Sequence, residues 1–182
     1  GMLFEKFPAR IYPNEAHLTH VLGYLRTNME RPNKAQDNDY QLGDIYGFSG
    51  VEKVYESSLR GKDGIEYHLV DIYGIDHGIV VDTPPIQAIP GKSLYLTIDS
   101  KLQFFIEQLF EDKQGAVICM HPLTGQVLAF LSAPDYDLNS FVGPVPREIW
   151  DAWNQDNGHP LLNRVIQGTY PPGSTMKLIA AA

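Results

Sequence analysis

The clearest pattern in the chain lies between residues 102 and 110. Leu102, Phe105, Ile106, Leu109 and Phe110 recur at helical spacing and fall on one face, which predicts a core helix. Ser100 and Gln103 stand at the spacing of a capping box at its start. Apolar runs at 115–120 and 126–132 flank Pro122-Leu123-Thr124-Gly125 and predict a β-hairpin. Upstream, Asn14 is placed to cap a helix carrying Leu18, Val21, Leu22 and Leu25. Ser49 and Glu52 form a second capping-box spacing, Val51, Val54, Tyr55 and Leu59 share a helical face, and Gly61 follows as a stop.

From residue 64 the period changes to two. Ile65, Tyr67 and Leu69 alternate with Glu66 and His68, and a partner strand is expected at 79–81 after an Asp76-His77-Gly78 turn. Leu94, Leu96 and Ile98 alternate in the same way and predict a strand over 93–98. Residues 31–43 are polar and lack a period, so they read as a loop. Thr83-Pro84-Pro85 and Pro90-Gly91 mark a domain boundary, giving domains at 1–91 and 92–182. Helices mixed with local antiparallel hairpins make the fold class α+β.

Composition narrows the function classes. The chain has 182 residues, of which 43% are hydrophobic, as in a folded globular protein. Its net charge of −8 argues against nucleic acid as a partner and leaves no polybasic membrane patch. No apolar run is long enough to span a bilayer. Gly1 before Met2 reads as a cloning scar. Cys119, the only cysteine, sits in the apolar run AVICM and reads as a packed thiol. Internal repeats and Gly-rich phosphate loops are absent.

Several clusters invite chemistry and are better read as structure. His17 and His20 have no further ligand cluster beside them. Asp71, Asp76, His77 and Asp82 lie among turn residues. Asp135 and Asp137 read as a solvated loop, and Trp150 and Trp153 as helix-to-core packing. The charged run from Glu52 to Arg60 reads as a tie between its helix and the adjacent strand. No metal and no cofactor is expected.

Ser174 and Lys177 are different. They stand three apart after Pro171-Pro172-Gly173 and before an apolar run, which predicts a helix starting near Ser174. A serine hydroxyl needs an adjacent base to become a nucleophile. A lysine serves as that base when burial and positive potential favour its neutral form. Backbone N–H groups at the helix start add donors for an oxyanion. Catalytic residues are therefore expected at Ser174 and Lys177.

The surrounding residues carry a resemblance. LLNRVIQGTYPPGSTMK (161–177) resembles the active-site segment of class B penicillin-binding proteins, and QGTYPPGST resembles the elongation type, penicillin-binding protein 2. RIYPNEAHLTHVLGYL (10–25) and SGVEKVYESSLRGKDG (49–64) resemble that family's pedestal. PGKSLYLTIDSKLQ (90–103) and GAVICMHPLTGQVLAFLSAPDYDLNSF (115–141) resemble the entry to its transpeptidase domain.

The resemblance implies an elongated pedestal followed by the first part of a transpeptidase-like domain, an antiparallel sheet with helices. It implies a peptidoglycan D,D-transpeptidase that crosslinks stem peptides ending in D-Ala-D-Ala through a Ser174 acyl-enzyme and is acylated by β-lactams. It also implies a single N-terminal anchor in the cytoplasmic membrane, the bulk outside it, and a polytopic glycosyltransferase as partner. The family's Ser-x-Asn and Lys-Thr/Ser-Gly motifs do not occur after Lys177, so this chain alone is expected to be inactive. The alternative is a non-catalytic pedestal that docks the glycosyltransferase. β-Lactam sensors and serine β-lactamases share Ser-x-x-Lys but lack a pedestal of this form.

Overall fold

The computed structural model describes residues 10–13, 16–28, 40 and 43–181. Helix α1 (Thr19–Leu22) is followed by strand β1 (Leu25–Thr27), which pairs antiparallel with β2 (Ile45–Gly47). The expected helix through Leu25 is thus only four residues long, and Leu25 is buried in the strand opposite Gly47. Two backbones crossing at Gly23 and Gly50 cause this. Both have positive φ, and a Cβ on Gly23 would lie 2.1 Å from the Ser49 carbonyl oxygen. The Asn14 cap and residues 31–39, 41 and 42 of the polar stretch lie outside the described residues.

Helices α2 (Gly50–Val54) and α3 (Glu56–Leu59) replace the single helix expected there, with a break at Tyr55. Ser49 and Glu52 make no capping box. Ser49 Oγ accepts from the Tyr24 N–H, and Glu52 takes Arg10 at 2.9 Å and the Tyr12 hydroxyl at 3.3 Å. Burial explains the choice, because a carboxylate only 6% exposed gains more from a cation than from a backbone donor. Glu56 accepts from Gly47 N–H, and Arg60 pairs with Asp44 at 2.7 Å, so the charged run ties the helices to β2.

Strands β3 (His68–Val70) and β4 (Asp76–Ile79) form a second hairpin. Its turn lies at residues 71–75, earlier than expected, because Asp71 folds back to accept from Tyr73 and Ile75 N–H, both at 2.9 Å. Asp76, His77 and Gly78 are strand residues instead, and Ile65 makes only an isolated bridge to Ile86. Residues 93–98 are not a strand. The stretch bonds to the following sheet through Thr97 Oγ1, which donates to Val127 O at 2.6 Å, and the next residue but one, Asp99, donates its N–H to Leu128 O at 2.9 Å.

Helix α4 (Ser100–Leu109) is capped by Asp99, whose carboxylate accepts from Lys101 and Leu102 N–H. Gln103, expected as part of the cap, points inward and is 1% exposed. Strands β5 (Gly115–Met120) and β6 (Val127–Ala133) pair antiparallel from Gly115–Ala133 to Met120–Val127, the hairpin read from sequence. Ile106 of α4 packs on Ala129, Leu131 and Ala133, with Leu102, Phe110, Val117 and Cys119 against them. Phe105 and Leu109, expected in that core, are half exposed.

A second core is aromatic. Tyr12, Tyr136, Leu138 and Phe141 are buried together, and Leu22, Tyr24, Trp153 and Leu161 pack on them. It joins residues from both sides of the boundary expected at 91. A 3-10 turn (Leu138–Phe141) capped by Asp137 supplies Phe141. Helix α5 (Arg147–Gln155) supplies Trp153.

Candidate active site

Helix α6 (Arg164–Gln167) leads into the candidate site. Asn163 caps it through Val165 N–H, and Ser132 of β6 fixes its start by accepting from Arg164 N–H at 2.9 Å. Beyond Gly168, Pro171 and Pro172 exclude regular helix. Gly173 then takes a φ of 56°, the left-handed conformation that glycine adopts without a steric penalty.

A 3-10 turn (Gly173–Met176) follows and runs directly into helix α7 (Lys177–Ala180). The helix expected at Ser174 therefore begins in its tighter form. With three residues per turn, side chains at i and i+3 eclipse, so the turn brings Ser174 and Lys177 to the same side of the chain. Both are exposed, and among the described residues no hydrogen bond joins them. Thr175 is the local brace, its N–H at 3.3 Å and its hydroxyl both directed at Pro172 O.

Other candidates from the sequence fall into structural roles. His17 Nδ1 lies 3.1 Å from Asp135, and His20 Nε2 lies 3.1 Å from Pro160 O. The hydrogen bond to Asp135 holds His17 above the usual imidazole range, whereas burial pushes His20 below it. Asp135 also accepts from the Thr19 hydroxyl and Asp137 caps a 3-10 turn, so this stretch is an anchor rather than a solvated loop. His77 lies 3.2 Å from Asp71 and His68 lies 2.8 Å from Asp76. Backbone N–H donors hold both carboxyls below their ordinary range. Among the described residues no three such groups converge as a metal site. Trp153 stacks on Phe141, Trp150 meets the same ring edge-on, and Cys119 packs on the Ile106 core.

A cleft of about 760 Å³ between α4 and residues 156–158 is lined by His17, Glu107, Phe110 and Asp135, and neither Ser174 nor Lys177 lines it. Arg164 was not singled out in the sequence. The signal is a guanidinium flanked by apolar pairs in LLNRVI, with Leu161 and Leu162 before Asn163 and Val165 and Ile166 after Arg164.

Residues 1–96 match the penicillin-binding protein dimerisation domain, and residues 115–182 match the penicillin-binding protein transpeptidase domain. The chain belongs to the penicillin-binding proteins. It is 38% identical to the peptidoglycan D,D-transpeptidase MrdA of Salmonella typhimurium (strain LT2), over 97% of this chain and 29% of that protein. It thus spans about 29% of the length of that curated relative. Among solved structures it is similar to the Helicobacter pylori penicillin-binding protein PBP2 in its complex with MreC. The TM-score is 0.73 and the identity 34%, covering 93% of this chain and 31% of that one. It is also similar to Pseudomonas aeruginosa PBP2 in complex with WCK 5153, with a TM-score of 0.70 and 32% identity over 97% of this chain and 34% of that one. The α+β architecture of this penicillin-binding protein, a dimerisation domain followed by the start of a transpeptidase domain, is the one these neighbours share.

Proposed function

We propose that the protein carrying this chain is a peptidoglycan D,D-transpeptidase, with Ser174 as nucleophile and Lys177 as its base. The observation that carries this reading is the pair's position, exposed across one 3-10 turn inside the region that matches the transpeptidase domain. Ser174 Oγ attacks the carbonyl carbon between the two terminal D-alanines of a stem peptide, and Lys177 Nζ takes its proton. The C–N bond breaks, the proton passes to the leaving D-alanine amine, and an ester remains on Ser174. An amine of a neighbouring stem peptide attacks that ester, forming the crosslink and freeing the serine. A β-lactam opens on the same oxygen. The names of the MrdA relatives support the activity, as does the transpeptidase match.

Residues 1–91 serve as pedestal and residues 92–182 begin the catalytic domain. The pedestal faces partners at the outer side of the cytoplasmic membrane, among them a polytopic glycosyltransferase, with a single N-terminal anchor holding the protein there. The MreC complex of the Helicobacter pylori relative supports a partner-binding role in general. Among the described residues no helix is long and apolar enough to cross a membrane.

The test is to treat the full-length protein with a penicillin and map the adduct by peptide mass. An adduct on Ser174 is expected. An adduct elsewhere, or none, overturns the assignment.

A further inference from the structure

Arg164 is a buried cation, 6% exposed, and among the described residues its side-chain hydrogen bonds go to no carboxylate. Its guanidinium donates instead to backbone carbonyls: to Gly158 O, to His159 O at 3.1 Å and to Leu162 O at 3.5 Å. Two more side chains hold the same loop. Ser132 Oγ donates to Leu162 O at 3.0 Å, and His20 Nε2 reaches Pro160 O at 3.1 Å. The carbonyls of residues 158, 159, 160 and 162 are therefore all directed at side-chain donors. Burying a charge for carbonyl partners alone is costly, and a loop can be held by cheaper groups. What a guanidinium adds is a planar fork of donors with fixed directions, so it sets the angle of the segment as well as its position.

That angle reaches the nucleophile. Among the described residues, the hydrogen bonds of residues 169–181 stay within that segment: Thr175 to Pro172, and Ala181 N–H to Lys177 O at 2.9 Å. The link back to the body is the stretch from Gly168 to Arg164, where Gly168 N–H donates to Arg164 O at 3.1 Å. A Cβ on Gly168 would lie 2.5 Å from that oxygen and 2.7 Å from the Tyr170 ring, so the link is tight. Pro171 and Pro172 then fix two φ angles before the turn. Of the residues between Arg164 and the turn, only Thr169 and Tyr170 are held by neither that hydrogen bond nor a proline ring, so a change of tilt at Arg164 is carried towards Ser174.

We infer that Arg164, locked by Ser132 and the carbonyls of residues 158–162, is a positioning residue that sets the direction from which Ser174 attacks. The inference rests on Ser174 being the nucleophile. It concerns the acylation rate and does not give Arg164 contact with substrate.

The experiment compares the full-length protein with its R164M, S132A and S174A variants, each titrated with a fluorescent penicillin. Two quantities are read: the final fraction labelled and the rate of labelling at saturating drug. A positioning role leaves the final fraction close to complete and slows the rate by about 10- to 100-fold in R164M, with a smaller slowing in S132A. A structural role lowers the labelled fraction and leaves the rate of the labelled molecules unchanged, and that outcome overturns the inference. An unchanged rate at full labelling in R164M overturns it as well. If R164M does not fold, S132A, which keeps the guanidinium, decides on the same two readings. Failure of the wild type to label at Ser174 instead overturns the transpeptidase assignment, and this inference with it, so the two failures are told apart.

Discussion

Gln103 is bonded through its side-chain amide to both backbone groups of Phe130. Its Nε2 donates to Phe130 O at 3.1 Å, and its Oε1 accepts from Phe130 N–H at 2.9 Å. The same Nε2 reaches Glu107, which in turn accepts from the His17 N–H. One α4 residue thus completes the hydrogen bonding of a β6 residue and orders the carboxylate that holds the N-terminal segment. Gln103→Leu keeps the volume and leaves the Phe130 groups unpaired in a buried place. The expected loss is about 2–4 kcal/mol, read from denaturant midpoints of the full-length protein. A loss below about 0.5 kcal/mol would show that water or a neighbour satisfies them equally well.

Phe141 stands at the centre of the aromatic core. It stacks on Trp153 at 5.4 Å and 11° and on Tyr24 at 4.1 Å, and it meets Tyr136 at 5.4 Å. Tyr24 comes from a distant part of the chain, Tyr136 and Trp153 from either side of Phe141. Phe141→Ala should cost about 3–5 kcal/mol and weaken the near-ultraviolet circular dichroism of Trp153. A stability change within error would mean that the loop collapses to fill the space.

His17 and His20 should respond to pH with opposite signs. His17 faces Asp135, Glu107 and Asp137, and the Asp135 hydrogen bond raises its pKa above 6.5. Its stabilising contribution is therefore full below that value and is lost as pH rises through the folded-state pKa. Burial lowers the pKa of His20, so its neutral form is favoured when folded, and stability falls as pH drops below 6.5. Thermal melting of His17→Gln should show a larger deficit against wild type at about pH 5.5 than at about pH 8. His20→Gln should show the reverse order. Parallel curves for both variants would contradict the two assignments.

Lys177→Ala should slow penicillin acylation of the full-length protein by about 10²- to 10⁴-fold, the usual contribution of a positioned base. Ser174→Ala should abolish it. A Lys177 variant acylated at the wild-type rate would require another base for the serine.

Much of the local structure was legible because short-range forces decide it. The β5–β6 hairpin followed from two apolar runs around a Pro-to-Gly turn, and α4 followed from apolar spacing. Neither capping box forms. Ser49, Glu52 and Gln103 each found a partner far along the chain, and only for Ser100 did a neighbour, Asp99, do the capping instead. Alternation at 93–98 gave no strand, and Leu94 and Leu96 stay exposed, since Thr97 and Asp99 bond to β6 one at a time.

By itself the sequence determined the hairpin, the α4 helix, the glycine and prolines that shape the turn at Ser174, and the family. Each of these is written in neighbouring residues or in motifs with fixed spacing. Tertiary structure decided where the polar groups went. It shortened α1 where Gly23 meets Gly50, and it turned Asp135 into an anchor for Thr19 and His17. It also buried Arg164 among the carbonyls of residues 158–162. Burial is the physical reason. A polar side chain removed from water must find a partner wherever the fold brings one, and sequence spacing does not say where that is.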